Sequence, residues 1–163
     1  MTVSQEQFKQ AMGSFPTGVT VTTAYSEAGE VVGMTASAFS SVSLDPLLVL
    51  MCPAKAAECY QPLTEASYFS IHLLAGDQSA LAWQFAKSDM DKTAGLEISQ
   101  GPSGSPKIQG CLAYLECRHH ALYDGGDHGI LVGKVTHIEF SDEERDPLVY
   151  CKSALGPLPA IGT

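Results

Sequence analysis

The sequence predicts a mainly β domain, an antiparallel barrel carrying two or three short peripheral helices. Three observations lead there: period-two apolar alternation recurs in six or seven segments, tight turns rich in Gly and Asp join them, and no strand–helix–strand alternation suggests a parallel sheet. The 163 residues suffice for one domain, and 45% apolar against 17% charged residues is a core-burying composition, unlike that of a disordered chain. Residues 1–155 are read as the domain and 156–163, rich in Gly and Pro, as a tail.

Ser4 can cap a helix whose third residue, Gln7, reaches back to it, and Phe8, Ala11 and Met12 fall on one face before Gly13 ends the element. From Gly18, Val19 and Val21 alternate with Thr20 and Thr22, the pattern of a half-buried strand. Ser26 to Gly29 makes the turn, Val31 to Thr35 the return strand, and Phe39 to Ser43 extends up to Asp45-Pro46. The run from Leu47 to Cys52 lacks polar alternation, so both its faces are expected to be covered. Ala54 to Glu65 has helical composition, which Pro62 limits to about two turns before a strand at Tyr68 to Leu73. Asp77 is expected to cap a helix in which Leu81 and Phe85 pair at i,i+4. Six Gly and Pro residues between Lys92 and Gly110 predict a mobile surface excursion, a candidate lid. Cys111 to Leu122 and Gly129 to Phe140 form a long hairpin around Asp124-Gly-Gly-Asp-His128, and Pro147 to Cys151 is a last short strand.

Nine Lys and Arg against eighteen Asp and Glu leave a net charge of −9, which excludes nucleic-acid binding through a basic surface. An anionic cofactor must then be held by local backbone N–H groups and a few placed cations. The first ten residues lack a basic region leading into an apolar one, so no signal peptide is expected. The longest apolar run is far shorter than the ~20 residues of a membrane span, so no membrane association is expected either. Five cysteines without a Cys-x-x-Cys pair read as reduced thiols of a cytoplasmic protein, and the histidines lack metal-ligand spacing. Apolar strands exceeding what the helices can shield predict a homodimer.

Two stretches could carry chemistry. Gly33 to Pro46 sets five hydroxyls among small residues, which lets a flat polar ring approach the backbone. The same residues also read as a bulged, Ser-rich edge strand. Gly125-Gly-Asp-His128 thrusts an imidazole out at a hairpin tip, and equally reads as ordinary turn chemistry. His72, in an apolar strand, reads as a satisfied core residue. Neither a Rossmann glycine fingerprint nor a phosphate-binding P-loop is present, nor a nucleophile elbow.

Phe15-Pro-Thr-Gly-Val-Thr-Val, the Gly33 to Pro46 block, Gln78 to Ala86, Leu115-Glu-Cys117 and Gly126-Asp-His128 with Gly133-x-Val135, in this order, resemble the flavin reductase domain. That family comprises the small reductase components of two-component, flavin-diffusible monooxygenases. The resemblance implies a Greek-key, FMN-binding split barrel, usually homodimeric, that reduces FMN or FAD with NADH or NADPH for a partner monooxygenase. It implies that Thr35, Ala36, Ser37, Ala38, Ser41 and Val42 line the isoalloxazine ring, largely through backbone groups. Cys52, Lys55 and Ala57 would run past the ribityl chain and phosphate, Phe85 would border the site, and His128 would face the nicotinamide as the catalytic residue.

Ala57 and Cys59 stand where the family usually carries the Ser and Thr that hold the flavin phosphate, His72 replaces an Asn, and Leu47 a second Pro. With those donors missing, flavin is expected to behave as an exchangeable substrate, with Lys55 the remaining phosphate cation. Two readings stay open: an NAD(P)H-dependent flavin reductase, and a degenerate member using the barrel cavity as a binding or biosynthetic site without reductase turnover.

Overall fold

The structure, a computed structural model, describes residues 2–158. It opens with helix α1 (Gln5–Gly13), started by the capping box predicted from sequence: Gln7 N–H donates to Ser4 Oγ at 3.1 Å, and Ser4 N–H donates to the Gln7 side chain at 3.0 Å. None of its residues is buried, and Phe8 and Met12 are more than half exposed. Its apolar face is present but uncovered within the chain.

The strands are β1 (Thr17–Gly18), β2 (Thr20–Tyr25), β3 (Val31–Ala36), β4 (Phe39–Leu44), β5 (Leu47–Met51) and β6 (Tyr68–Leu73), followed by β7 (Ile98–Gln100), β8 (Pro106–Ile108), β9 (Ala113–Gly125), β10 (His128–Phe140), β11 (Leu148–Cys151) and β12 (Ala154–Pro157). Helices α2 (Tyr60–Glu65) and α3 (Ser79–Ala86) flank β6 in the chain. Seven strands form one antiparallel sheet in the order β3-β2-β6-β9-β10-β5-β4. Ala36 from one edge meets Phe39, Val49 and Met51 from the other in a single cluster with Phe69, Leu115 and Leu131. The sheet is therefore wrapped around its own core. Among the described residues no ladder joins β3 to β4, so the barrel is open along that seam.

A second cluster, with Val19, Val21, Leu74, Leu81, Phe85 and Leu148, lies under α3. Because β2 borders both clusters, its threonines are buried as deeply as its valines, and the half-buried alternation expected there is not what forms. Thr20 satisfies its hydroxyl on Ala36 C=O at 3.0 Å. The converse holds for β5, expected to be covered on both faces: Val49 and Met51 are buried, but Leu47 is about half exposed.

Other boundaries also moved. The Ala54–Glu65 helix shrinks to α2, with Pro62 in its first turn, where its missing N–H costs nothing. Gln78, not Asp77, is the N-cap of α3; Asp77 faces Arg145 at 3.4 Å instead. The Lys92–Gly110 excursion carries the β7–β8 hairpin with Ser105, Pro106 and Ile108 buried, so half of it is anchored to the barrel. The tail expected from Gly156 starts inside β12, paired with β11; residues 159–163 of that expectation lie outside the described residues.

Candidate active site

A cavity of about 620 Å³ lies against β3, walled by Val31 to Thr35, by the Ala56–Cys59 turn and by Phe85 with the segment that follows α3. Gly33 makes this arrangement close: a Cβ there would sit 2.4 Å from Thr22 O and 3.1 Å from the Phe85 ring. Thr35 Oγ1 donates to Ala82 C=O at 2.6 Å and pins α3 to β3. As an edge strand, β3 leaves alternate N–H and C=O groups unpaired, so the cavity wall offers backbone donors and acceptors. The amides of Ala56 and Glu58 also donate to no protein group among the described residues. The bulged Ser-rich edge strand and the ligand-binding stretch are thus one and the same feature, with the bulge between Ser41 and Ser43.

Thr35, Ala57 and Phe85 line this cavity, and Thr35 and Ser37 line an adjoining slot. Ala36 is buried in the barrel core. Ala38 accepts the Cys52 N–H at 3.2 Å, tying β4 to the end of β5, while burial pushes the Cys52 thiol pKa up. Ser41 and Val42 sit at the β4 bulge, Val42 half exposed, and line none of these spaces. Lys55, expected to face the flavin phosphate, is ion-paired with Asp124, which raises its pKa and lowers that of Asp124.

His128 belongs to the same hairpin end. The two-residue loop Gly126-Asp127 turns with Gly126 at φ +81°, and His128 pairs with Ala54 across an isolated bridge. Lys55 N–H donates to Asp127 C=O and Gly129 N–H to Pro53 C=O, both at 2.9 Å. Asp127 Oδ1 lies 2.8 Å from His128 Nδ1, which orients the imidazole and depresses the Asp127 pKa. The hairpin tip is therefore zipped onto the start of the turn whose far end lines the cavity.

Sequence reasoning passed over the cations of the cavity. Lys87 and Lys92 line it, together with Ser88. Lys92 Nζ donates to Gln84 C=O at 2.9 Å and to Lys87 C=O, lies 6.0 Å from the Phe85 ring centre, and partly offsets the rise that burial imposes on the Cys59 thiol. The signal was available: two of nine Lys and Arg residues fall just after the helix bearing Phe85.

Residues 12–159 match the family described as flavin reductase like domain. The chain belongs to that family. It is 41% identical over 158 residues to the FMN reductase (NADH) SmoA of Agrobacterium fabrum, covering 94% of this chain and 86% of that one. It is also 41% identical over 133 residues to the stachydrine N-demethylase reductase subunit Stc3 of Rhizobium meliloti, covering 82% of this chain and 58% of that longer one. The NADH:FAD oxidoreductase of Streptomyces globisporus, solved with NAD and FAD fragments, superposes with a TM-score of 0.88 at 36% identity, over 98% of this chain and 97% of that one. Within this flavin reductase family member, the cavity along β3 fits a flavin: it has open edge-strand backbone for a flat polar ring, and free amides and lysines for an anionic end.

Proposed function

We propose that the chain is an NAD(P)H:flavin oxidoreductase that delivers reduced FMN or FAD by diffusion to a partner monooxygenase. The observation that carries this reading is the cavity between the β3 edge, the Ala56–Cys59 turn and Phe85, in a chain whose relatives are flavin reductases and reductase subunits. When bound, the flavin itself supplies the two-electron chemistry, so the protein has only to bind and orient. The open backbone of β3 and the Phe85 ring hold the flat ring system. The Ala56 and Glu58 amides, with Lys87 and Lys92, face the phosphate and take the place of the donors missing at Ala57 and Cys59.

His128, oriented by Asp127, is assigned to positioning the nicotinamide rather than to obligate proton transfer, since hydride transfer depends chiefly on orientation. Its replacement by Ala is expected to lower kcat/KM by roughly ten- to a hundredfold. Full activity in a flavin-binding His128→Ala protein would remove that role. The working unit in this reading is a homodimer, supported by the uncovered Leu44 and Leu47 around the β4–β5 turn and by the exposed face of α1. Among the described residues no helix is long and apolar enough to cross a membrane, and the free cysteines fit a cytoplasmic location.

The test is steady-state oxidation of NADH and of NADPH, each with FMN, FAD and riboflavin. Turnover with at least one pair is expected. Absence of turnover with every pair, at protein concentrations where flavin binds, would leave the barrel a binding site and end the reductase reading.

A further inference from the structure

A slot of about 210 Å³ adjoins the larger cavity, with Thr35 and Ala86 lining both. Its walls are the aromatic Trp83 and Tyr150 and the aliphatic Val19 and Leu155, with Ser37 at one side. Sites for drug-sized ligands run to roughly 300–1,000 Å³, so this space takes a single flat ring system rather than a whole cofactor. No charged residue lines it, which selects a neutral ring over a phosphate or a cationic ring.

Trp83 is the unusual element. α3 buries Leu81, Ala82 and Phe85, yet Trp83 remains 49% exposed, an uncommon state for so large an apolar surface. The slot also has neighbours on both sides. Lys87 and Lys92 line the cavity beyond Ala86, where a pyrophosphate linking the two spaces would meet them. Ser37 and Tyr150 also line a groove of about 340 Å³ beneath α1, where Thr17 keeps a buried hydroxyl with no partner among the described residues. A trough of this extent is longer than a mononucleotide needs.

We propose that the Trp83–Tyr150 slot is an adenine subsite, taking the adenine ring of a dinucleotide whose other half lies in the cavity along β3. The proposal rests on the flavin reductase reading. Adenine is common to FAD and to NADH, and the structure assigns the ring chemistry; the experiment distinguishes the carrier.

Trp83 is the only tryptophan of the chain, so its emission reports on the slot. Adenosine monophosphate is titrated into the intact protein, with quenching expected in the wild type and weaker quenching in Tyr150→Leu. Two ratios are then measured in the wild type, Trp83→Phe and Trp83→Ala: Kd of FMN over Kd of FAD, and KM of reduced nicotinamide mononucleotide over KM of NADH. Losing a base–aromatic stack typically weakens binding about tenfold or more. One ratio should therefore fall about tenfold in Trp83→Ala and be largely retained in Trp83→Phe. A fall in the flavin ratio identifies FAD as the carrier, and a fall in the nicotinamide ratio identifies NADH. Absence of quenching by adenosine monophosphate, or both ratios unchanged in Trp83→Ala, overturns the subsite. Failure of the wild type to bind any flavin sinks the functional reading instead, and the two failures are separable because FMN turnover does not involve adenine.

Discussion

His72 lies wholly inside the protein, with Nδ1 3.0 Å from Val21 C=O and Nε2 accepting the Ile108 N–H at 3.0 Å. Nε2 must then be the unprotonated nitrogen and Nδ1–H the donor, a neutral ring joining β2, β6 and the β8 hairpin. Burial, aided by the Lys107 charge and opposed by the Val21 bond, lowers its pKa from 6.5 to about 4. The unfolded chain therefore binds the extra proton between those values, so stability is complete above about pH 6.5 and falls as pH drops toward 4. The full loss is on the order of 3 kcal/mol. Urea midpoints recorded from pH 7 to 4.5 should decline in the wild type and decline less in His72→Asn; a flat wild-type profile would contradict this account. A second expectation concerns the flavin phosphate, assigned here to Lys92 rather than Lys55. FMN should bind more tightly than riboflavin, with Lys92→Ala lowering that preference by roughly tenfold, the size of one charged hydrogen bond, and Lys55→Ala leaving it in place. Equal loss of preference in both variants, or in neither, would return the phosphate site to the open question left by Ala57 and Cys59.

At the scale of elements, the β7–β8 hairpin is held by a carboxylate inside the protein. Glu116 of β9 is fully buried and accepts the Ser103 N–H on both oxygens at 2.9 and 3.0 Å, and the Ser105 hydroxyl at 2.8 Å. Burial alone would raise its pKa, but the hydrogen bonds from Ser103 and Ser105 outweigh that and lower it. The carboxylate thus replaces the ladder that so short a hairpin lacks. Glu116→Ala should cost about 2–4 kcal/mol and leave the amides between Gly101 and Ile108 exchanging at least tenfold faster, read by hydrogen-exchange mass spectrometry. Unchanged exchange there would mean that burial of Pro106 and Ile108 suffices to hold the segment. By contrast the Lys55–Asp124 pair is exposed, and its loss should have little effect on stability.

For the whole molecule, the uncovered residues fall on α1, on the β4–β5 turn and on the outer positions of the long hairpin, where Leu122, Ile138 and Phe140 are exposed. Apolar surface so distributed is the mark of an interface rather than of scattered exposure. Sedimentation should give a species of twice 17.3 kDa, and Leu44→Asp combined with Leu47→Asp should shift it toward the monomer. A wild-type protein sedimenting as a monomer at micromolar concentration would exclude the dimer.

Features encoded within a few residues were legible from the sequence alone: the Ser4–Gln7 capping box, the Gly29 turn, the β9–β10 hairpin around Gly126, and the antiparallel class that follows from them. The motif blocks from Phe15 to Val135 were likewise enough to indicate the family. What the sequence could not determine was which face of a strand meets which layer. The threonines of β2 look solvent-facing in a period-two pattern, and only the second cluster beneath α3 buries them. Thr35 and Ala82 are 47 residues apart, and their hydrogen bond exists because the wrapped sheet brings β3 under α3. The same wrapping brings Lys92 and the Ala56–Cys59 turn to one cavity and gives Lys55 to Asp124 instead. Local pattern reports periodicity and turn chemistry, which act through neighbouring residues; the choice of partner for a cation or a hydroxyl is made by long-range packing, which no short stretch of sequence contains.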